Sequence, residues 1–202
     1  MTRIMSGESA GLITERRAFF RAAGAATLSA TAVALLAGCE SMAQGNMSSG
    51  SMSMSDVNIL NVALGLEHEA IIAYQLGAES GLLQQAVLTT AVGFQSHHKE
   101  HRDALIATIR KMGGTPVAEK PKAEYAQALN AASLRSQTDI LKLAQRLERG
   151  AANAYLGVIP SFNDKGLAQI AARLAADETM HWTALTGAMA EMLPQKALTF
   201  GA

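Results

Sequence analysis

Four stretches of this chain carry an apolar stripe at helical spacing, and each stripe is broken at its middle by Glu or His. Taken in alternating steps of four and three, the first runs Leu60, Leu64, Glu67, Ile71, Tyr74, Ala78. The second runs Val87, Ala91, Phe94, His98, His101, Leu105 and, one turn skipped, Met112. The third runs Leu141, Ala144, Glu148, Ala151, Tyr155, Val158, and the fourth Ala171, Leu174, Glu178, His181, Leu185, Ala188, Met192. A stripe of this period is the face a helix buries, so its polar residues enter the core with it. A lone ionised carboxylate there is costly, and breaking a buried pair costs about 3–5 kcal/mol. Glu67, His98, His101, Glu148, Glu178 and His181 fall at one depth and need a shared partner. A divalent cation satisfies all six at once.

The breaks between stripes set the topology. Asp56 is a suitable N-cap for a first helix reaching Glu79, where Ser80-Gly81 interrupts. A second helix is predicted from Leu82 to Met112, stopped by Gly113-Gly114. A polar stretch with Pro116 and Pro121 follows, with a short helical turn near Tyr125 to Ala132. The third helix runs from Thr138 to Ile159, ahead of Pro160, and Asn163 to Gly166 turns the chain into a fourth that ends before Pro194. Short, long and short connections describe two hairpins joined by a crossover. The expected fold is therefore an all-α four-helix bundle over residues 56–193, with a long crossover between helices two and three. Residues 194–202 form a C-terminal tail.

The two hairpins repeat one design. Leu66-Glu67 and Ala70, Ala73, Tyr74 recur as Leu147-Glu148 and Ala151, Ala154, Tyr155, 81 positions on. At an offset of 80, His97-His98 matches Asp177-Glu178, and His101 matches His181, with Ala-Leu following in both. Such a repeat implies pseudo-twofold packing around one site.

The first 55 residues read as address and tether. Thr14 to Arg21 (TERRAFFR) resembles a twin-arginine export signal, and a mild apolar run from Ala22 to Leu36 follows it. That run is shorter than the roughly 20 residues of a membrane-spanning helix. It ends in Leu36-Ala37-Gly38-Cys39, which resembles a bacterial lipobox. The resemblance implies cleavage before Cys39, lipid attachment to its sulfur, and a protein held to the membrane on the periplasmic face of the cell envelope. The alternative, a Cys buried in an N-terminal helix, is disfavoured by the small residues and the signal-like run before it. Residues 39–55 are rich in Ser, Gly and Met and read as a flexible spacer. Met42, Met47, Met52 and Met54 offer thioether sulfur to a soft ion such as Cu(I), but their spacing is irregular and linker is the preferred reading. With one Cys in the chain, no internal disulfide forms. Past residue 38 the chain has 13 basic and 15 acidic residues, which disfavours nucleic acid as a partner.

Glu on helices one and three, with Glu-x-x-His on two and four, is the pattern of the ferritin-like superfamily. This chain resembles its small secreted bacterial members over about residues 56–193. By position, Glu67, His101, Glu148, Glu178 and His181 match the ligand positions of that family. His98 departs from it, because the family has Glu there. Four glutamates neutralise two divalent ions, whereas three leave one positive charge unless a hydroxide or oxide bridges. The change shifts weight from a dinuclear iron centre towards a mononuclear or mixed N/O site for iron, manganese, zinc or copper.

The resemblance implies a divalent metal, iron foremost, and, if a reaction is catalysed, a ferroxidase-like or peroxide-consuming oxidoreductase. The rival is a non-catalytic envelope module whose Glu and His satisfy one another; a copper-handling role for the Met-rich tether is a third reading. A homodimer is allowed, and a closed iron-storing shell is not expected of a lipid-tethered subunit. His68, Glu69, His97, Lys99 and Glu100 lie off the seams and are expected to be solvated. Tyr74 and Tyr155 are expected to pack in the core with a partner for each hydroxyl, and Trp182 to fill a helix–helix interface.

Overall fold

The computed structural model describes residues 49–201, with side chains from residue 54 onward. Cys39, the signal-like segment and most of the tether lie outside the described residues. Five α-helices make up the described chain: α1 (Ser49–Glu79), α2 (Gln85–Lys111), a short α3 (Lys122–Ala128) in the crossover, α4 (Gln137–Val158) and α5 (Lys165–Ala188). No strand occurs among the described residues. The expected all-α bundle is thus observed. α1 packs chiefly on α2, and α4 on α5; the hairpins meet along α1 and α4. None of the described helices is long and apolar enough to cross a membrane.

Local chemistry sets most of the boundaries. Gly81, with φ of 71°, turns the chain after α1. At the end of α2, Gly113 (φ 79°) donates to Arg110 O and Gly114 N to Ile109 O, both at 2.9 Å. This paired closure is the one glycine favours at a helix C-terminus. Asp164 caps α5 by accepting from Gly166 N and Leu167 N at 2.6 and 3.3 Å. The cap of α4 is Ser136, accepting from Asp139 N at 3.2 Å, two residues ahead of the expected Thr138.

α2 starts at Gln85 rather than at the expected Leu82, and two other boundaries depart further. α1 begins at Ser49, so Asp56 lies inside it and caps nothing there. Asp56 is instead 2% exposed and accepts from Asn163 N, Asn163 Nδ2 and Asp164 N at 3.1–3.2 Å. It clasps the α4–α5 turn, a long-range task that local spacing does not reveal. α5 stops at Ala188, because Ala190 adopts φ 54° and Glu191 N closes back on Thr186 O at 3.1 Å. Gln145 of α4 fastens this end by donating to Thr186 Oγ1 and Glu191 Oε2. Met192 therefore leaves the seam and is 80% exposed.

The core has two apolar ends. Val57, Leu60, Leu64, Leu105, Ile109 and Leu174 fill one. Tyr74, Leu141, Ala144 and Leu185 fill the other, with Val87, Ala91 and Phe94 against them. The crossover is pinned to α1 by Asn61, which donates to Thr115 O at 3.0 Å and accepts from Val117 N at 2.7 Å. The C-terminal tail folds back so that Phe200 meets Trp182 edge-on at 5.1 Å. Trp182 thus packs under the tail. Replacing Asp56 by Ala removes the acceptor that Asn163 N, Asn163 Nδ2 and Asp164 N share at the clasp between the hairpins. We expect a loss of about 1–3 kcal/mol or more in urea denaturation, with the helical content of the folded protein unchanged.

Candidate metal centre

The six polar seam residues converge between the two apolar ends. Glu67, His98, Glu148, Glu178 and His181 are each at most 1% exposed, and His101 is 8% exposed. Glu67, His98, His101 and Glu178 each present one ligand atom within 4.8 Å of the others. His98, Glu148, Glu178 and His181 do the same. These are two overlapping groups of four that share His98 and Glu178.

Their atoms divide cleanly. On one side, His98 Nδ1 lies 2.8 Å from Glu67 Oε2, and His101 Nδ1 lies 3.3 Å from Glu178 Oε1. On the other, His98 Nε2 lies 3.2 Å from Glu148 Oε1, and His181 Nδ1 lies 3.2 Å from Glu178 Oε2 and 3.4 Å from Glu148 Oε2. The pseudo-twofold expected from the repeat is visible in the surroundings as well. Tyr74 of α1 donates to Glu148 of α4, while Tyr155 of α4 donates to Glu67 of α1. Each hydroxyl thus finds its partner across the bundle, on the other helix's glutamate.

The outward nitrogens of the two flanking imidazoles are also held. His101 Nε2 lies 3.2 Å from Asp177 Oδ2, and His181 Nε2 lies 2.9 Å from His97 Nδ1. A histidine that binds metal through one nitrogen commonly has the other fixed in this way. His97 was expected to be solvated; it is half-buried, its ring stacked on His181 at 5.2 Å between centroids. Neither Asp177 nor His97 lies on a seam, yet the 80-residue repeat sets one against the other and was the available signal for both. His68 and Glu69 also differ from expectation, being 4% and 8% exposed. The crossover covers that face of α1, with His68 Nε2 3.3 Å from Val117 O. Both sit away from the cluster. Lys99 and Glu100 are exposed, as expected.

Three cluster atoms, His101 Nδ1, Glu148 Oε2 and Glu178 Oε1, are buried without a hydrogen-bond partner. Two of them, His101 Nδ1 and Glu178 Oε1, lie 3.3 Å apart, and Glu148 Oε2 lies 3.4 Å from His181 Nδ1, so they meet as ion pairs without hydrogen-bond alignment, and a cation placed among them would satisfy all three. With no metal bound, protons fill that role. Burial favours neutral His98, but hydrogen bonds to Glu148 and Glu67 outweigh it and raise its pKa well above the usual imidazole value. Burial likewise opposes charge on His101, yet Glu178 and Glu67 push it up to about 10. His181 is raised by Glu148 and Glu178 against the same opposition. Burial also works against ionised Glu67 and Glu148, but their imidazole partners win and lower both. Glu178 is raised, because burial there exceeds what His101 and His181 supply.

An apolar cleft of about 360 Å³ adjoins the cluster, lined by Ala91, Ala184, Leu185 and Ala188 among others, and bounded towards the ligands by Tyr74 and Phe94. Phe94 stacks on His181 with ring centroids 4.1 Å apart.

These protonation shifts fix the pH response of the metal-free fold. Histidines held protonated by folding stabilise it below their unfolded value, about 6.5, and stop doing so as pH rises through the folded value, about 10 for His101. Glu178, raised instead, contributes below the ordinary carboxylate value and loses that contribution as pH rises above it, whereas the lowered Glu67 and Glu148 stabilise the fold above the ordinary carboxylate value and lose that contribution in acid. In excess chelator, the Tm followed by circular dichroism should peak at about pH 5–6.5 and fall towards pH 10.

The Ferritin-like domain family matches residues 55–191. No curated protein matches the chain. Among solved structures, the fold is similar to that of a conserved hypothetical protein, rv2844, from Mycobacterium tuberculosis, at a TM-score of 0.57 and 21% identity. That similarity covers 67% of this chain and 97% of the other. With bundle, crossover and a buried Glu/His cluster compatible with a divalent metal, the chain belongs to the ferritin-like domain family.

Proposed function

We propose that this is an exported, lipid-anchored ferritin-like protein that binds one or two divalent metal ions in its bundle core. The observation that carries the reading is the convergence of six buried Glu and His side chains into two overlapping groups of four ligand atoms. Glu67 and His101 would serve one subsite, Glu148 and His181 the other, with His98 and Glu178 between them. Imidazole and carboxylate in equal number suit iron, zinc, copper or manganese. Metal binding displaces the protons that the apo cluster holds, so affinity rises with pH.

A bound ion would act as a Lewis acid and, if iron, as an electron donor to oxygen or peroxide. The chain's own contribution is to hold the ligands rigid through Tyr74, Tyr155, His97 and Asp177 and to exclude bulk water. Arg16-Arg17, the apolar run and Cys39 support export and lipid attachment on the periplasmic face of the cell envelope.

Elemental analysis of natively exported protein tests the metal. A near-stoichiometric metal in the parent, lost from a Glu67→Ala/Glu148→Ala double variant that still folds, is the expected result. Absence of metal from both would leave the rival, a self-satisfied Glu/His network in an envelope module. A Cys39→Ser variant should move from the membrane fraction to the soluble one.

A further inference from the structure

Position 98 is where this chain departs from the ligand pattern of its family, and the geometry there gives the departure a purpose. We infer that His98 bridges two metal ions, with Nδ1 bound to one and Nε2 to the other, opposite the Glu178 carboxylate, which gives one oxygen to each. The inference rests on the metal-binding reading above and deepens it.

The ring stands between the two halves of the cluster. Nδ1 faces Glu67 Oε2 at 2.8 Å and Glu178 Oε1 at 3.8 Å, on the side of His101. Nε2 faces Glu148 Oε1 at 3.2 Å, on the side of His181. The ring is 1% exposed, so neither nitrogen is turned to solvent. His98 is also the residue that the 80-residue repeat pairs with Glu178. The two shared members of the overlapping groups are therefore equivalent positions on α2 and α5. A carboxylate and an imidazole have one capacity in common: each offers two ligand atoms at a fixed separation, pointing to different ions. Replacing Glu by His at this position keeps that capacity.

It also settles the charge. A neutral His98 has one lone pair and binds one ion. Bound through both nitrogens, the ring gives its remaining N–H proton to solvent and becomes an imidazolate of charge −1. With Glu67, Glu148 and Glu178 the ligand set then totals −4, which neutralises two divalent ions without a bridging oxide or hydroxide. Each ion receives two nitrogens and two oxygens, a donor set suited to zinc and copper as well as iron. The ring's nitrogens sit on opposite edges, so the ions stand further apart than the roughly 3.5–4 Å usual in two-metal sites.

Copper(II) is the probe, because two such ions joined through an imidazolate couple their spins. The full metal-free chain is titrated with Cu(II), metal per chain is measured by elemental analysis, and the complex is examined by electron paramagnetic resonance. Two ions per chain are expected, with an integrated signal per copper well below that of an isolated ion and a half-field transition. His98→Ala should lose that coupling or bind a single ion. His98→Glu, which keeps a bridging residue if the Ala variant fails to fold, should bind two ions with altered coupling. One ion per chain in the parent, two with the full signal of independent spins, or coupling unchanged in either variant would overturn the bridge while leaving metal binding intact. No bound copper and no other stoichiometric metal would instead overturn the metal-binding reading itself.

Discussion

Six ionisable side chains at one depth of an apolar bundle form the constraint on which the rest of this structure depends. Five of the six are at most 1% exposed, so water cannot stabilise their charges, and their mutual distances of about 3 Å make them one electrical unit. Carboxylate facing carboxylate is tolerable only with positive charge between. In the metal-free chain that charge is protons on the imidazoles; in the proposed metal-bound form it would be the ion. The surroundings follow from this. Tyr74 and Tyr155 reach across the bundle to the glutamates, Asp177 and His97 hold the outer edges of the imidazoles, and apolar clusters close the bundle above and below.

The hairpin repeat makes this arrangement nearly two-fold, and the residual asymmetry has chemical consequences. His101 leans on a carboxylate, whereas His181 leans on another imidazole. A carboxylate partner raises the basicity of the imidazole it holds, so under the proposed metal-binding reading the two subsites would differ in affinity even with matching donor sets. The aromatic wall is one-sided as well: Phe94 stacks on His181, and the cleft opens on that flank.

The buried cluster was legible in the sequence because the helical period alone decides which residues turn inward, and α1, α2, α4 and α5 obey it through their middles. The repeat added the pairing of His98 with Glu178 and of the two tyrosines. What escaped the sequence depends on neighbours remote along the chain. Asp56 looks like a helix cap, yet three N–H groups more than a hundred residues away claim it. His68 and Glu69 sit on a polar flank of α1 that is buried only because the crossover lies over it. His97 lies one residue off its seam and pairs with His181, and the early end of α5 is fastened by Gln145 on a different helix. Stripe residues could be assigned from local rules, whereas these needed the tertiary fold.

The most direct test of the central claim, that the buried Glu/His cluster exists to hold metal, is anomalous X-ray diffraction at the iron, copper, zinc and manganese absorption edges. This account predicts anomalous density at the bundle centre, within bonding reach of Glu67, Glu148, Glu178 and the three imidazoles. A featureless map there, with the carboxylates hydrogen-bonded directly to protonated imidazoles, would contradict it.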